Sequence, residues 1–188
     1  MEIITENWLE EMLQLCQQKD VGMAGAKLYY PDDTIQHAGV VVGLGGVAAH
    51  VLCKLPRDAE GYMGRLRCVQ EISAVTAACM MVKTSVFKAV GGFDEELKVA
   101  FNDIDLCMKV RKYGVKIVFT PYAELYHYES KSRGMEDTPE KQLRFSREVN
   151  CFRRKWEREL LKGDPYYNPN LTLNNTDCSL RKQEKNGD

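Results

Sequence analysis

The chain has 188 residues, 44% of them hydrophobic, which is enough for one sizeable core and a single domain or a large part of one. Its 26 basic and 27 acidic residues nearly cancel, so there is no overall field for nucleic acid or an anionic membrane. No run approaches the roughly 18–20 apolar residues of a membrane span, and Met1-Glu2-Ile3-Ile4-Thr5-Glu6 lacks the basic and apolar regions of a signal peptide.

A soluble, intracellular protein is therefore expected, and the cysteines agree. Cys16, Cys53, Cys68, Cys79, Cys107, Cys151 and Cys178 are scattered without a C-x-x-C pair, which suits reduced thiols better than a disulfide framework or a zinc site. The sequons at Asn170 and Asn174 then carry no weight, since glycosylation needs a secretory route.

Taken in order, the chain alternates helix and strand signals. Thr5 or Glu6 opens a helix with Trp8, Leu9, Met12, Leu13 and Leu15 on a helical period, ending at Lys19-Asp20. The stretch 21–30 reads as a strand rich in small residues, a composition found where another backbone or a ligand comes close. Pro31-Asp32-Asp33-Thr34 has turn chemistry, and 35–43 is a second extended piece. Gly43-Leu44-Gly45-Gly46 matches neither a P-loop nor a dinucleotide fingerprint and is read as a flexible loop. Residues 56–67 are polar and read as a surface excursion over a site.

Small residues from Ser73 run into an apolar strand ending at Lys83, and Thr84 is a fair N-cap for a short helix over 85–90. Gly91-Gly92 breaks that helix in the manner of a C′ glycine. The next helix, 103–113, opens on Phe101-Asn102-Asp103-Ile104-Asp105, where Asn102 or Asp103 serves as N-cap and the acidic residues suit the positive end of the dipole. Gly114 stops it, 115–119 returns as a strand, and Pro121 closes the unit, which implies an α/β layer architecture. Pro139 begins a last helix running to about Lys162, apolar along Leu143, Phe145, Val149, Phe152 and Trp156. Its opposite face, Arg144, Arg147, Arg153, Arg154, Lys155 and Arg158, reads as a solvated basic face.

The series 78–83, Val90-Gly91-Gly92-Phe93-Asp94-Glu95, Asn102-Asp103-Ile104-Asp105-Leu106-Cys107, Tyr113-Gly114 and Leu125-Tyr126-His127 resembles the carboxy-terminal half of a family 2 glycosyltransferase, the inverting GT-A type. Lys27-Leu28-Tyr29-Tyr30-Pro31, Gln36-His37-Ala38-Gly39-Val40 and the stretch 164–170 are similar to members that build rhamnose-rich or O-antigen-like bacterial polysaccharides. The resemblance covers roughly residues 2 to 171, with several motifs in order.

What the resemblance implies is an incomplete GT-A fold, a mixed sheet with flanking helices, over 1–171, followed by a polar, flexible tail over 172–188. It implies transfer of a sugar from a nucleotide-sugar donor to a glycan acceptor in cell-surface polysaccharide synthesis. Asp103 falls at the catalytic base, with Asn102 where many members have glutamate. Asp105 lies two residues on, a spacing that does not face Asp103 on a helix, so it is read as structural or acceptor-binding. Gly91 and Gly92 correspond to the loop beneath donor and acceptor, and His127 to a ligand of a divalent metal, manganese or magnesium, on the donor diphosphate. The amino-terminal nucleotide-binding half is expected to be missing. The implied location is cytoplasmic, including a peripheral position at the inner face of the membrane.

The rival expectation is a non-catalytic interaction or oligomerisation module, in which exposed sheet edges pair in a homo-oligomer and the basic last helix meets an acidic partner. A nucleic-acid role is disfavoured, because the aromatics of that helix share its apolar stripe instead of alternating with the arginines.

Overall fold

The computed structural model describes residues 1–128 and 138–182, beginning with a short strand β1 (Glu2–Ile3) and the helix α1 (Trp8–Cys16). The helix is shorter than its pattern suggests, with Met12, Leu15 and Cys16 buried while Leu9 and Leu13 stay in contact with solvent. β2 (Val21–Tyr29) is buried along its whole length, which a strand can be only at the middle of a sheet with layers on both faces. Its glycines explain one close approach: a Cβ on Gly25 would lie 2.3 Å from Val75 Cγ1, so only glycine lets the 73–77 segment come this near.

After the turn, β3 (Ile35–His37) pairs antiparallel with the end of β2, Leu28 opposite His37. The extended piece expected over 35–43 is split, because Gly39 takes φ +102 and β4 (Val40–Val42) leaves to form a hairpin with β5 (Ala48–His50). The glycine loop between them is a tied turn: Gly45 N–H donates to Leu173 O at 2.8 Å and Arg153 Nη2 to Gly46 O at 3.2 Å. β6 (Gln70–Glu71) and β7 (Met80–Val82) follow, and then α2 (Thr84–Ala89), which starts one residue earlier than expected with Lys83 at its N-cap.

α3 (Asn102–Lys112) and β8 (Lys116–Tyr126) complete the central layer. β8 lies parallel to β2, from Val21 opposite Lys116 to Tyr29 opposite Tyr126. The expected stop at Pro121 does not occur. Residues 120–123 of β8 bulge opposite Ala26 alone, so the proline sits where no ladder N–H is required and pairing resumes at Glu124. β8 also pairs with β6 in its first half and β1 in its second, while β2 pairs with β7 and β3, giving a curled, mixed, six-stranded sheet.

The last helix is two helices, α4 (Pro139–Lys155) and α5 (Glu157–Lys162), hinged at Trp156. Thr138 caps the first, its hydroxyl accepting from Lys141 N–H at 3.4 Å. One core cluster lies beneath α1, and the larger one joins Met23, Phe119, Ile104, Phe152 and Trp156 on the opposite side of the sheet. The tail expected from residue 172 does not start there: Thr172 N–H donates to Ser179 O at 2.8 Å, Leu52 N–H to Thr176 O at 2.6 Å, and Cys178 is buried. This folded return carries on through Arg181, whose N–H donates to Asn170 O at 2.8 Å, because burying Leu171 and Cys178 against the core outweighs the polarity between them. Residues 183–188 lie outside the described residues.

Candidate active site

α3 begins on an unusual residue. Phe101 holds φ +63 at the N-cap and packs its ring against Phe145 and Phe152, with centroids at 5.8 and 5.3 Å. A phenylalanine cannot cap, so the two polar residues after it do so from inside the first turn. Asn102 Oδ1 accepts from Asp103 N–H at 2.7 Å, and Asp103 Oδ1 from Ile104 N–H at 2.9 Å. Asp103 Oδ2 reaches outside the helix to Ala77 N–H at 3.0 Å. Each oxygen of this partly exposed carboxylate thus rests on one backbone amide at a helix start, an arrangement that orients it.

The strap that supplies Ala77 is itself latched residue by residue. Val75 N–H approaches Cys107 Sγ at 3.4 Å, and Thr76 N–H donates to His37 Nε2 at 3.4 Å. Cys107 is fully buried beside Met23, and burial pushes its thiol up, so it acts as a small apolar anchor rather than a nucleophile. His37 is also fully buried and is held well below the ordinary histidine range by burial first, and then by His50 and His127. It is a neutral acceptor at Nε2.

His127 stands at the end of β8. Its N–H donates to Tyr29 O at 2.9 Å, and its ring Nδ1 lies 2.7 Å from Gln36 Oε1 while Gln36 Nε2 donates to His127 O at 3.2 Å. Bonding of Nδ1–H to an amide oxygen makes Nε2 the nitrogen with the lone pair. Gln36 O in turn receives His50 Nδ1 at 2.9 Å and Cys53 Sγ at 3.0 Å. The protein's three histidines are therefore linked through β3, where Gln36 bonds His127 and His50 and the adjacent His37 bonds the Asp103 strap. Among the described residues no group of three or more His, Cys, Asp or Glu side chains is arranged to hold a metal ion. The described residues therefore do not make up a complete ligand set.

Asp105 is placed elsewhere. It is fully buried, its Oδ1 accepting from Trp156 Nε1 at 2.8 Å and lying 2.7 Å from Lys155 Nζ, with Lys109 Nζ 3.1 Å from Oδ2. Lys155 also pairs with Asp94, and these carboxylates hold its ammonium above the usual lysine range against the opposing effect of burial. Gly91 and Gly92 close α2 as a helix terminus, Gly92 N–H donating to Phe87 O at 3.0 Å and Gly91 N–H to Lys88 O at 3.2 Å. Lys109 Nζ donates to Gly92 O at 2.6 Å, which ties this loop to Asp105 through one lysine.

Residues 56–67 bound a cleft at the side of β8, with Arg57 Nη1 donating to Tyr126 Oη at 3.4 Å. Arg57 and Arg67 of this stretch line the cleft, of about 1440 Å³, with Lys27, Tyr122 and Glu124, beside the β8 bulge. The part played by Gln36 and His37 was not drawn from the sequence, although both stand in the quoted motif. Glu148 was missed too: buried on α4, it accepts from Val99 N–H at 3.2 Å and Ala100 N–H at 2.9 Å, fixing the loop into α3. An acid at helical spacing from the apolar residues Phe145 and Phe152 was the available signal.

The curled mixed sheet and its flanking helices place the molecule in the GT-A-like class of α/β folds. Comparison with known proteins narrows this further: the family model described as "Glycosyltransferase like family 2" matches residues 2–148, and the chain belongs to that family. It is 57% identical to the uncharacterized protein y4gI of Sinorhizobium fredii over 96% of the chain and 20% of that relative. It is 38% identical to the O-antigen biosynthesis protein RfbC of Myxococcus xanthus over 100% of the chain and 14% of that relative. A third relative is an N-acetylglucosaminyl-diphospho-decaprenol L-rhamnosyltransferase of Mycobacterium tuberculosis, 36% identical over 33% of the chain and 20% of its own length. The matched stretch thus spans a fifth or less of each of these relatives.

Proposed function

We propose that this unit supplies the base and acceptor side of an inverting glycosyltransferase, which moves a sugar from a nucleotide-sugar donor to a glycan acceptor in cell-surface polysaccharide synthesis. The observation that carries the reading is the Asp103 carboxylate, partly exposed and held on two amides at a helix start. Family membership and a relative named for O-antigen biosynthesis support it.

In this reading Asp103 takes the acceptor hydroxyl's proton as that oxygen attacks the anomeric carbon. The new C–O bond forms on the side opposite the one that breaks to the nucleoside diphosphate, so the configuration inverts. Asn102 steadies the helix start, and Gly91-Gly92 shapes the neighbouring loop. Family 2 enzymes commonly use a divalent cation. His127, with its lone pair set on Nε2 by Gln36, is assigned as one contribution to holding manganese or magnesium at the donor diphosphate, and no step is routed through the ion. No helix among the described residues is long and apolar enough to cross a membrane, and we place the enzyme on the cytoplasmic side, where nucleotide sugars are made.

The test is transfer by a full-length relative carrying the Asp103→Asn change. Loss of about 10²–10⁴-fold in turnover with an unchanged urea midpoint is expected for removal of a general base, and unchanged turnover would sink the assignment. A second reading, an assembly module, draws on the edge of β7, which pairs only with β2 among the described strands. Sedimentation separates the two: a tight homodimer that binds no nucleotide sugar would favour assembly, and a monomer would disfavour it.

A further inference from the structure

We infer that His37 is a positioning residue for Asp103, acting through the amides of Thr76 and Ala77. The inference rests on Asp103 as the base, and it goes beyond that reading by giving a role to a histidine that touches neither the carboxylate nor any reacting atom.

The strap from Ala74 to Ala77 runs across the face of β2 at Gly25 and joins the outer strands to α3. Its four residues are fastened in order. Ala74 O accepts from Val40 N–H at 2.9 Å, Val75 is bound through Cys107, Thr76 through His37, and Ala77 N–H meets Asp103 Oδ2 at 3.0 Å. Ala77 is exposed, so water competes for its amide and the bond to Asp103 has no burial to protect it. What aims this amide is the peptide plane before it, and that plane is fixed by the Thr76 N–H bond to His37. The Thr76 and Ala77 amides belong to adjacent peptide planes that meet at the Thr76 α-carbon, where φ −79 and ψ 145 set one against the other and the Thr76 hydroxyl holds the junction by accepting from Ala78 N–H at 3.3 Å, so a shift of the Thr76 amide carries the Ala77 donor with it.

His37 is suited to this and to little else. A ring fully buried in β3 cannot swing out, and burial keeps it neutral, so Nε2 keeps its lone pair. Accepting at Nε2 requires the proton on Nδ1, and Nδ1 has no hydrogen-bond partner among the described residues. A buried donor left unpaired is unfavourable by about 1–3 kcal/mol, a large penalty for a residue kept only as filler. Phenylalanine would fill the same space without it. The ring is also braced edge-on by His50, with centroids 4.8 Å apart, and His50 is fastened to the Gln36 carbonyl that precedes His37. The strap therefore takes its position from the strand that carries the His127 contact, which places base and histidine in one frame.

The experiment is nuclear magnetic resonance on this chain with three forms compared. His37→Phe keeps the volume and removes the acceptor. His37→Gln keeps an acceptor oxygen near the position of Nε2. In His37→Phe the amides of Thr76 and Ala77 should exchange with solvent at least about tenfold faster, and the Asp103 side-chain carboxyl resonance should move. His37→Gln should restore both amides to within about threefold of the native protein. An unmoved Ala77 amide and Asp103 carboxyl in His37→Phe would overturn the proposal, since a purely structural histidine would leave them alone while altering stability. Should His37→Phe not fold, the native protein decides: a long-range proton–nitrogen spectrum must show the ring proton on Nδ1, and a proton on Nε2 overturns the proposal. None of these readouts depends on turnover. Failure of the base assignment would instead appear as unchanged transfer on Asp103→Asn, with the amide coupling intact.

Discussion

Asp103 and Asp105 stand two residues apart on the same helical turn, and the protein treats them in opposite ways. The first meets solvent and rests on two neutral amides. The second is sealed inside, facing two ammonium groups and an indole N–H. A helix rotates about 200° over two residues, so one carboxylate points to the strap and the other to the α4–α5 hinge. The difference shows what burial does to a charge: Asp105 must be fully compensated and becomes a structural lock, while Asp103 keeps the lone pairs that a base needs.

That contrast can be broken directly. Asp105→Asn should destabilise the chain by roughly 3–5 kcal/mol in urea unfolding, because Lys155 and Lys109 are left facing a neutral amide, whereas Asp103→Asn should change it by less than about 1 kcal/mol. Equal effects would erase the distinction. Trp156→Phe should follow at about 1.5–3 kcal/mol, since it removes the N–H bond to the Asp105 carboxylate while keeping an aromatic ring at the hinge. A smaller loss, roughly 1–2 kcal/mol, is expected for Gly92→Ala, where the backbone holds φ +64 and a Cβ would meet the Phe87 ring at 3.0 Å. Because Gly92 O and Asp105 share Lys109, the Gly92→Ala and Asp105→Asn losses should fall short of additive in a double mutant.

Much of the fold was legible in the residues. The buried run 21–29, the amphipathic helix closed by Gly114 and the glycine termination of α2 each follow from local pattern and backbone chemistry, and each stands close to where it was expected. Elements whose ends depend on remote partners were not. β8 continues past Pro121 because β1 and β2 resume pairing beyond the bulge, and the last helix breaks at Trp156 because the indole turns inward to a carboxylate 51 residues away. The return of residues 172–180 onto the core is of the same kind.

For the candidate site, the sequence by itself determined that a carboxylate would sit at the start of a helix and that a histidine would follow the central strand, because capping chemistry, the helix dipole and the order of motifs are local properties. Only the tertiary structure decided which carboxylate faces outward and which is locked inside. It alone drew Gln36 to His127, His37 to Thr76 and Ala77 to Asp103, each through a hydrogen bond. Those bonds exist because Gly25 lets the strap lie against β2 and β3 pairs with the strand's end, and a contact across such separations is set by packing and not by any pattern along the chain.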